Sequence, residues 1–172
     1  KGVLLSDGET RIALITLDLG RTFSLVSMEL VREIAQREGD IDMVLFFASH
    51  THSGPSILDH GSREKIPEWE REMLKKISWA IIQATHNLLP ATLGSGSGEA
   101  LLGHNRIRSQ PDGSVKMFWR NATKIPTSPV DDHVGVVRID DKTGNPIAIL
   151  VNYSCHPVVL GPDNLRYSAD YP

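Results

Sequence analysis

Met43-Val44-Leu45-Phe46-Phe47-Ala48 runs directly into Ser49-His50-Thr51-His52-Ser53-Gly54-Pro55, and this junction decides how the chain is read. The apolar run is continuous and short, the pattern of a strand covered on both faces, so it is expected to be a central strand. The segment after it is polar and ends in Gly54-Pro55, a turn signal. Loops at the carboxyl ends of buried strands are where α/β proteins place ligands. His50 and His52 are therefore the first candidates for chemistry.

Upstream, Ile12 to Leu17 is a second β-rich run that ends at Asp18-Leu19-Gly20. Between the two strands, Thr22 to Glu38 carries Phe23, Val26, Leu30, Ile34 and Ala35 at helical spacing, and Gly39 closes it as a C-cap. Downstream, Ser49 to Pro67 reads as a loop. Glu68 to Leu89 reads as the strongest helix, with Met73, Ile77, Ile81 and Leu88 on one face and Pro90 as its stop. The texture then changes. Ala91 to Leu102, with Gly94, Gly96 and Gly98, reads as an irregular strand, Asn105 to Gly113 as a polar loop, and Val115 to Trp119 as a short strand. Thr127 to Asp131 is a linker. Val134 to Ile139 and Pro146 to Tyr153 are strands joined by the turn Asp140-Asp141-Lys142-Thr143-Gly144-Asn145. The fold class expected is mixed α/β (α+β): strands with interleaved helices in the first half, mainly β in the second. Residues 1–172 are expected to form one domain.

Composition narrows the partners. The chain has 172 residues, 40% hydrophobic and 23% charged, with a formal net charge of -3. No cluster of Lys or Arg offers phosphates a footing, so a nucleic-acid partner is not expected. No apolar run has the length of a membrane span, and no signal peptide is present. Cys155 is the only cysteine, which excludes an internal disulfide and a Cys-rich zinc site.

Three segments carry candidate chemistry. In His50-Thr51-His52 the two rings point the same way if the backbone stays extended, and imidazole nitrogen is a favoured zinc ligand. On residue chemistry both histidines are candidate ligands; the alternative is a polar loop whose histidines face water. Asn152-Tyr153-Ser154-Cys155-His156-Pro157 also follows a strand, and His156 is the natural third ligand; the alternative is a hydrogen-bonded histidine at a strand end. Gly103-His104-Asn105-Arg106 supplies a guanidinium, a rigid fork of donors suited to a carbonyl or an anion, or else a surface arginine. His60, His86 and His133 attract only structural readings, and His86 is expected to face solvent.

Ser49-His50-Thr51-His52-Ser53-Gly54-Pro55 resembles the Thr-His-Thr-His-Ser-Gly-Pro signature of the neutral (alkaline, non-lysosomal) ceramidases. Asn105-Arg106, Cys155-His156-Pro157 and Ser168-Ala169-Asp170 resemble further segments of that family in the same order. The resemblance covers Ile12 to Pro172 and implies the N-terminal part of a catalytic domain. It implies a zinc-dependent amidase with Zn2+ as cofactor and a lipid or small-molecule amide as substrate, ceramide being the family's. It implies that His50 and His156 are zinc ligands, that His52 hydrogen-bonds the substrate carbonyl, and that Arg106, beside Asn105, binds the polar end of the substrate. The family's remaining ligands, a Glu and a Tyr, have no counterpart before Pro172. The family setting is secreted or at the cell surface, with access to substrate at a membrane.

Departures from the family, Ser-Cys-His-Pro around His156 and Ile107-Arg108 after Asn105-Arg106, point to a bacterial-type relative and leave the amide open. Two other readings compete. One is an amidohydrolase barrel, which requires at least two helices between residues 91 and 172. The other is a non-catalytic binding module on a degenerate metallohydrolase fold.

Overall fold

The computed structural model describes residues 1–172. Its packing groups them into two compact units, Lys1–Leu89 with Pro157–Pro172, and Pro90–His156. The architecture is mixed α/β, as the sequence pattern requires.

In the first unit, β1 (Gly2–Ser6) pairs antiparallel with β2 (Arg11–Leu17), and β2 pairs parallel with β3 (Met43–Ala48). Helix α1 (Leu25–Gly39) makes the crossover that a parallel pair needs. Helix α2 (Glu68–Thr85) follows the long loop after β3. The helices pack on each other, α1 also on β3 and α2 on β1. Along β2, Ala13, Ile15 and Leu17 are buried while Thr16 is exposed, the period of two that a strand imposes. Val31 and Ala35 of α1, with Phe23 just before it, meet them in one core. Each such large apolar side chain contributes about 1.5–3 kcal/mol by leaving water, so Val31→Asp in this fully buried position would break α1 from the sheet.

Several expectations change in detail. The continuous apolar run does not form a central strand: the sheet order is β1-β2-β3, so β3 is the edge and Phe47 is half exposed. The apolar run decides burial, but strand order is set by tertiary pairing. Helix α1 starts at Leu25 because Ser24 caps it, its side chain accepting from the Ser27 amide. At the other end Asp40, not Gly39, takes the left-handed cap (φ 51). Gly39 is needed for space instead, since a Cβ there would lie 2.9 Å from Ile82 Cδ1. Helix α2 stops at Thr85, before Leu89, where Thr85 Oγ1 donates to the Ile82 carbonyl and Asn87 Nδ2 to the Gln83 carbonyl. These side chains satisfy the last-turn acceptors without a proline. His86 is exposed.

In the second unit, β4 (Thr92–Glu99), β7 (His133–Asp140) and β8 (Pro146–Tyr153) form an antiparallel sheet in the order β4-β7-β8. The glycine-rich β4 is regular, pairing with β7 from Thr92↔Asp140 to Glu99↔His133. The β7–β8 turn closes as expected, with Gly144 at φ 85. The supposed polar loop contains β5 (Ile107–Ser109), which forms a hairpin with β6 (Val115–Met117). The chain has no helix after Thr85, which removes the barrel alternative. No helix is long and apolar enough to cross a membrane.

Candidate metal centre

Two loops leave the carboxyl ends of the parallel pair β2 and β3, Asp18 to Ser24 and Ser49 to Pro67. Backbone hydrogen bonds continue past the strand ends to join them: Ser49 N to Leu17 O at 2.9 Å and His50 N to Leu19 O at 3.0 Å. The packing there is close. A Cβ on Gly20 would lie 3.3 Å from the Thr51 carbonyl, and one on Gly54 3.3 Å from the Asp18 carbonyl.

His50 has φ 66. That left-handed conformation is uncommon for a residue with a Cβ, and such strain concentrates at functional sites. It also corrects the expectation of an extended His50-Thr51-His52 backbone aiming both rings one way. The backbone turns at His50, and the His50 and His52 rings meet edge to face with centroids 5.2 Å apart. His50 Nδ1 lies 2.5 Å from the Gly20 carbonyl oxygen. A carbonyl can only accept, so Nδ1 carries the proton and Nε2 is the nitrogen with the lone pair. A backbone carbonyl on the second ring nitrogen is the usual support of a metal-binding histidine. Both imidazoles are exposed and border a cleft of about 300 Å³ that Arg21, Pro55 and Ile57 also line.

Thr51, between them, is buried and points the other way. Its hydroxyl donates to the Ser168 carbonyl at 2.7 Å and accepts from Ser53 N at 3.1 Å. Ser168 N donates in turn to Ser53 O, and Asn164 Nδ2 to Ser53 Oγ. Ser168-Ala169-Asp170 is thus a clamp on the histidine loop. Asp170, itself at φ 69, accepts from the Val159 and Leu160 amides. The sequence signalled this segment only as a resemblance and gave it no role.

His156 is the last residue of the second unit, and the fully buried Pro157 follows it. Arg106 Nη2 stands 3.4 Å from His156 Nδ1, a long contact, and its guanidinium lies over the Trp119 ring at 5.2 Å. Tyr153 holds this arrangement. Its hydroxyl donates to the Ala100 carbonyl and accepts from the Leu102 and Gly103 amides. The strand leading to Arg106 is thereby tied to the end of β8. Asn105 fixes the next turn, with its carbonyl accepting from Ile107 N and its amide donating to the Pro129 carbonyl. By residue type it keeps one N–H and one lone pair for another partner. His104 is held by Phe118, through Nε2 to the carbonyl and edge to face with the ring.

The ring nitrogens of His50 and His52, both in the first unit, lie within 4.8 Å of each other. A pair of imidazoles with a carbonyl-supported His50 suits a borderline metal such as zinc. His60, by contrast, is tied to Glu70 at 2.9 Å.

No protein-family profile matches the chain. In sequence it is 24% identical to neutral ceramidase A of Dictyostelium discoideum over 184 residues, 98% of this chain and 24% of that protein. In structure it superimposes on the neutral ceramidase of Pseudomonas aeruginosa with a TM-score of 0.66 at 23% identity, covering 92% of this chain and 26% of that one. A ceramidase solved in complex with C2 gives a TM-score of 0.63 at 21% identity, covering 95% and 26%. Alike in sequence over almost its whole length and alike in fold, the chain is similar to these neutral ceramidases and spans about a quarter of their length.

Proposed function

We propose that this chain carries part of the active site of a zinc-dependent amidase that cleaves an N-acyl amide, ceramide or a related compound. The observation that carries the reading is the pair His50 and His52, whose ring nitrogens lie within 4.8 Å of each other on the loop after β3. His50 and His156 are the ligands, and the bond from His50 Nδ1 to the Gly20 carbonyl orients that ring with Nε2 as the coordinating nitrogen. Zinc, when bound, supplies Lewis acidity and lowers the pKa of a water ligand toward about 7.

The remaining work falls to side chains of this chain. His52 donates a ring N–H to the amide carbonyl and stabilises negative charge as it develops on that oxygen. Removing one such donor costs about 10² to 10³ in kcat. Arg106, stacked on Trp119, presents its remaining N–H groups to the polar end of the substrate or to the departing carboxylate. Asn105 sits beside it with one donor and one acceptor to add. The substrate is reached from solution outside the cell or from a membrane surface, in keeping with the homology.

The proximity of the His50 and His52 rings also favours His52 as a third ligand, and one experiment separates the two roles. Bound zinc is measured on the full-length protein that contains this chain, for the wild type and for His50→Ala, His52→Ala and His156→Ala. The proposal expects zinc to be lost with His50 or His156 and kept with His52→Ala. Loss of zinc in all three makes His52 a ligand. Absence of zinc from the wild type removes the amidase reading and leaves the binding module.

A further inference from the structure

Glu70 stands in the first turn of α2, and its side chain has no exposed surface. A carboxylate in such a place is costly unless its oxygens are hydrogen-bonded. Both are. Ser27 Oγ, from α1, donates to Oε1 at 2.5 Å, and His60 Nε2 meets Oε2 at 2.9 Å. Ser24, the N-cap of α1, extends the chain, its Oγ 3.0 Å from that of Ser27. One carboxylate therefore joins the starts of both helices to the loop that bears His50 and His52.

We infer that Glu70 is a positioning residue for the histidine loop, acting through His60 and Ser27 to hold His50 and His52 where they take a metal. The network reaches both supports of His50. Through His60 it grips the loop that carries the His50 backbone. Through Ser27 and Ser24 it fixes the end of the segment that carries the Gly20 carbonyl, the acceptor for His50 Nδ1. The other ties of the loop are less directional. Ile57 and Ile66 are buried but apolar. The Arg21–Asp59 pair is exposed, at 52% and 68% of side-chain surface, and such pairs are weak. Across residues 56–62 the buried network is the tie that fixes both distance and rotation, while the Thr51 and Ser53 bonds to Ser168 and Asn164 do so nearer the histidines.

The inference rests on the metal reading above, and two readouts keep them apart. Zinc affinity of the full chain is measured by competition with a chromophoric chelator, and amide exchange is followed by mass spectrometry, for the wild type, Glu70→Gln, His60→Ala and His60→Gln. Glu70→Gln and His60→Ala are expected to weaken zinc binding by about 10- to 100-fold, the usual effect of removing a ligand's supporting group. Exchange should quicken over residues 50–62 while the interiors of α1 and α2 stay protected. His60→Gln, whose amide can still donate to Glu70, should recover most of the affinity. Unchanged zinc affinity in His60→Ala overturns the inference, as does loss of protection throughout both helices, which would make the network a general stabiliser. Should the wild type bind no zinc, the metal reading fails alone. Faster exchange over residues 50–62 in His60→Ala then supports the positioning role, and unchanged exchange overturns it.

Discussion

His50 Nδ1 donates to the carbonyl of Gly20, so a single imidazole ties together the loops that follow two neighbouring parallel strands. The bond makes the ring both a brace of the fold and a presented nitrogen. Substitutions at His50 therefore test fold and site separately.

The left-handed backbone of His50 (φ 66) is tolerated by Asn far better than by a β-branched residue. His50→Val should be less stable than His50→Asn by about 1–2 kcal/mol, read from urea unfolding. Both should lose zinc. Equal stabilities would show that the turn relaxes once the imidazole is gone.

Thr51→Val keeps the shape of a buried side chain and removes its hydroxyl. The Ser168 carbonyl and the Ser53 amide lose their partner together. A cost of about 1–3 kcal/mol is expected for leaving such groups unmet, seen as a lower urea midpoint at an unchanged slope. A neutral result would mean that the Thr51 hydroxyl adds nothing to the clamp made by the Ser53 bonds to Ser168 and Asn164.

Tyr153→Phe removes the hydroxyl shared by the Ala100 carbonyl and the Leu102 and Gly103 amides. The second unit buries only Ile139 among its hydrophobics, so hydrogen bonds weigh heavily there. Amide exchange at Leu102 and Gly103 should quicken, with the β7–β8 ladder unaffected. Slow exchange at both amides in the variant would exclude this role.

The β7–β8 turn has its own acid limit. Asp141 accepts from the Thr143 hydroxyl first, then from the Asn145 and Thr143 amides, and these hold its pKa down to about 2 from 3.8. A lowered carboxylate stabilises the fold above its unfolded value and loses that contribution as pH falls through the folded one. The turn should therefore loosen between about pH 4 and pH 2. Titrating the Asp141 carboxyl carbon by NMR checks this, and a midpoint near 3.8 would refute it.

Much of the fold was legible where the signal is local. The alternation in β2 and the Asp-rich turn before β8 each carry their own chemistry, and both form as read. Sheet order is not local, which is why the most apolar strand is an edge. Strand β5 was missed because Ile107-Arg108-Ser109 is short and exposed, and becomes a strand only through β6. The end of α2 was misplaced because Pro90 is a conspicuous stop, whereas the effective caps at Thr85 and Asn87 are ordinary residues.

The site was legible to a different degree. Strand-end positions marked His50, His52 and His156 individually, but no spacing rule joins residue 156 to residue 50; only the family resemblance proposes that they share a site. The left-handed turn at His50 carried only a weak signal, since histidine is enriched at positive φ but far less decisively than glycine. The Glu70 network escaped because one Glu in the first turn of a helix is ordinary, and its burial arises only in three dimensions.

The bond from Thr51 to Ser168 joins positions 117 residues apart. During synthesis the histidine loop therefore emerges long before its clamp does. At about 5–20 residues per second, the wait is several seconds, during which β1 to α2 can form from contacts already present. The loop takes its final form only when the returning segment closes on it. On the proposed metal reading, loading belongs to the end of folding, and a nascent chain halted before Ser168 should hold its histidines without the order that selects an ion.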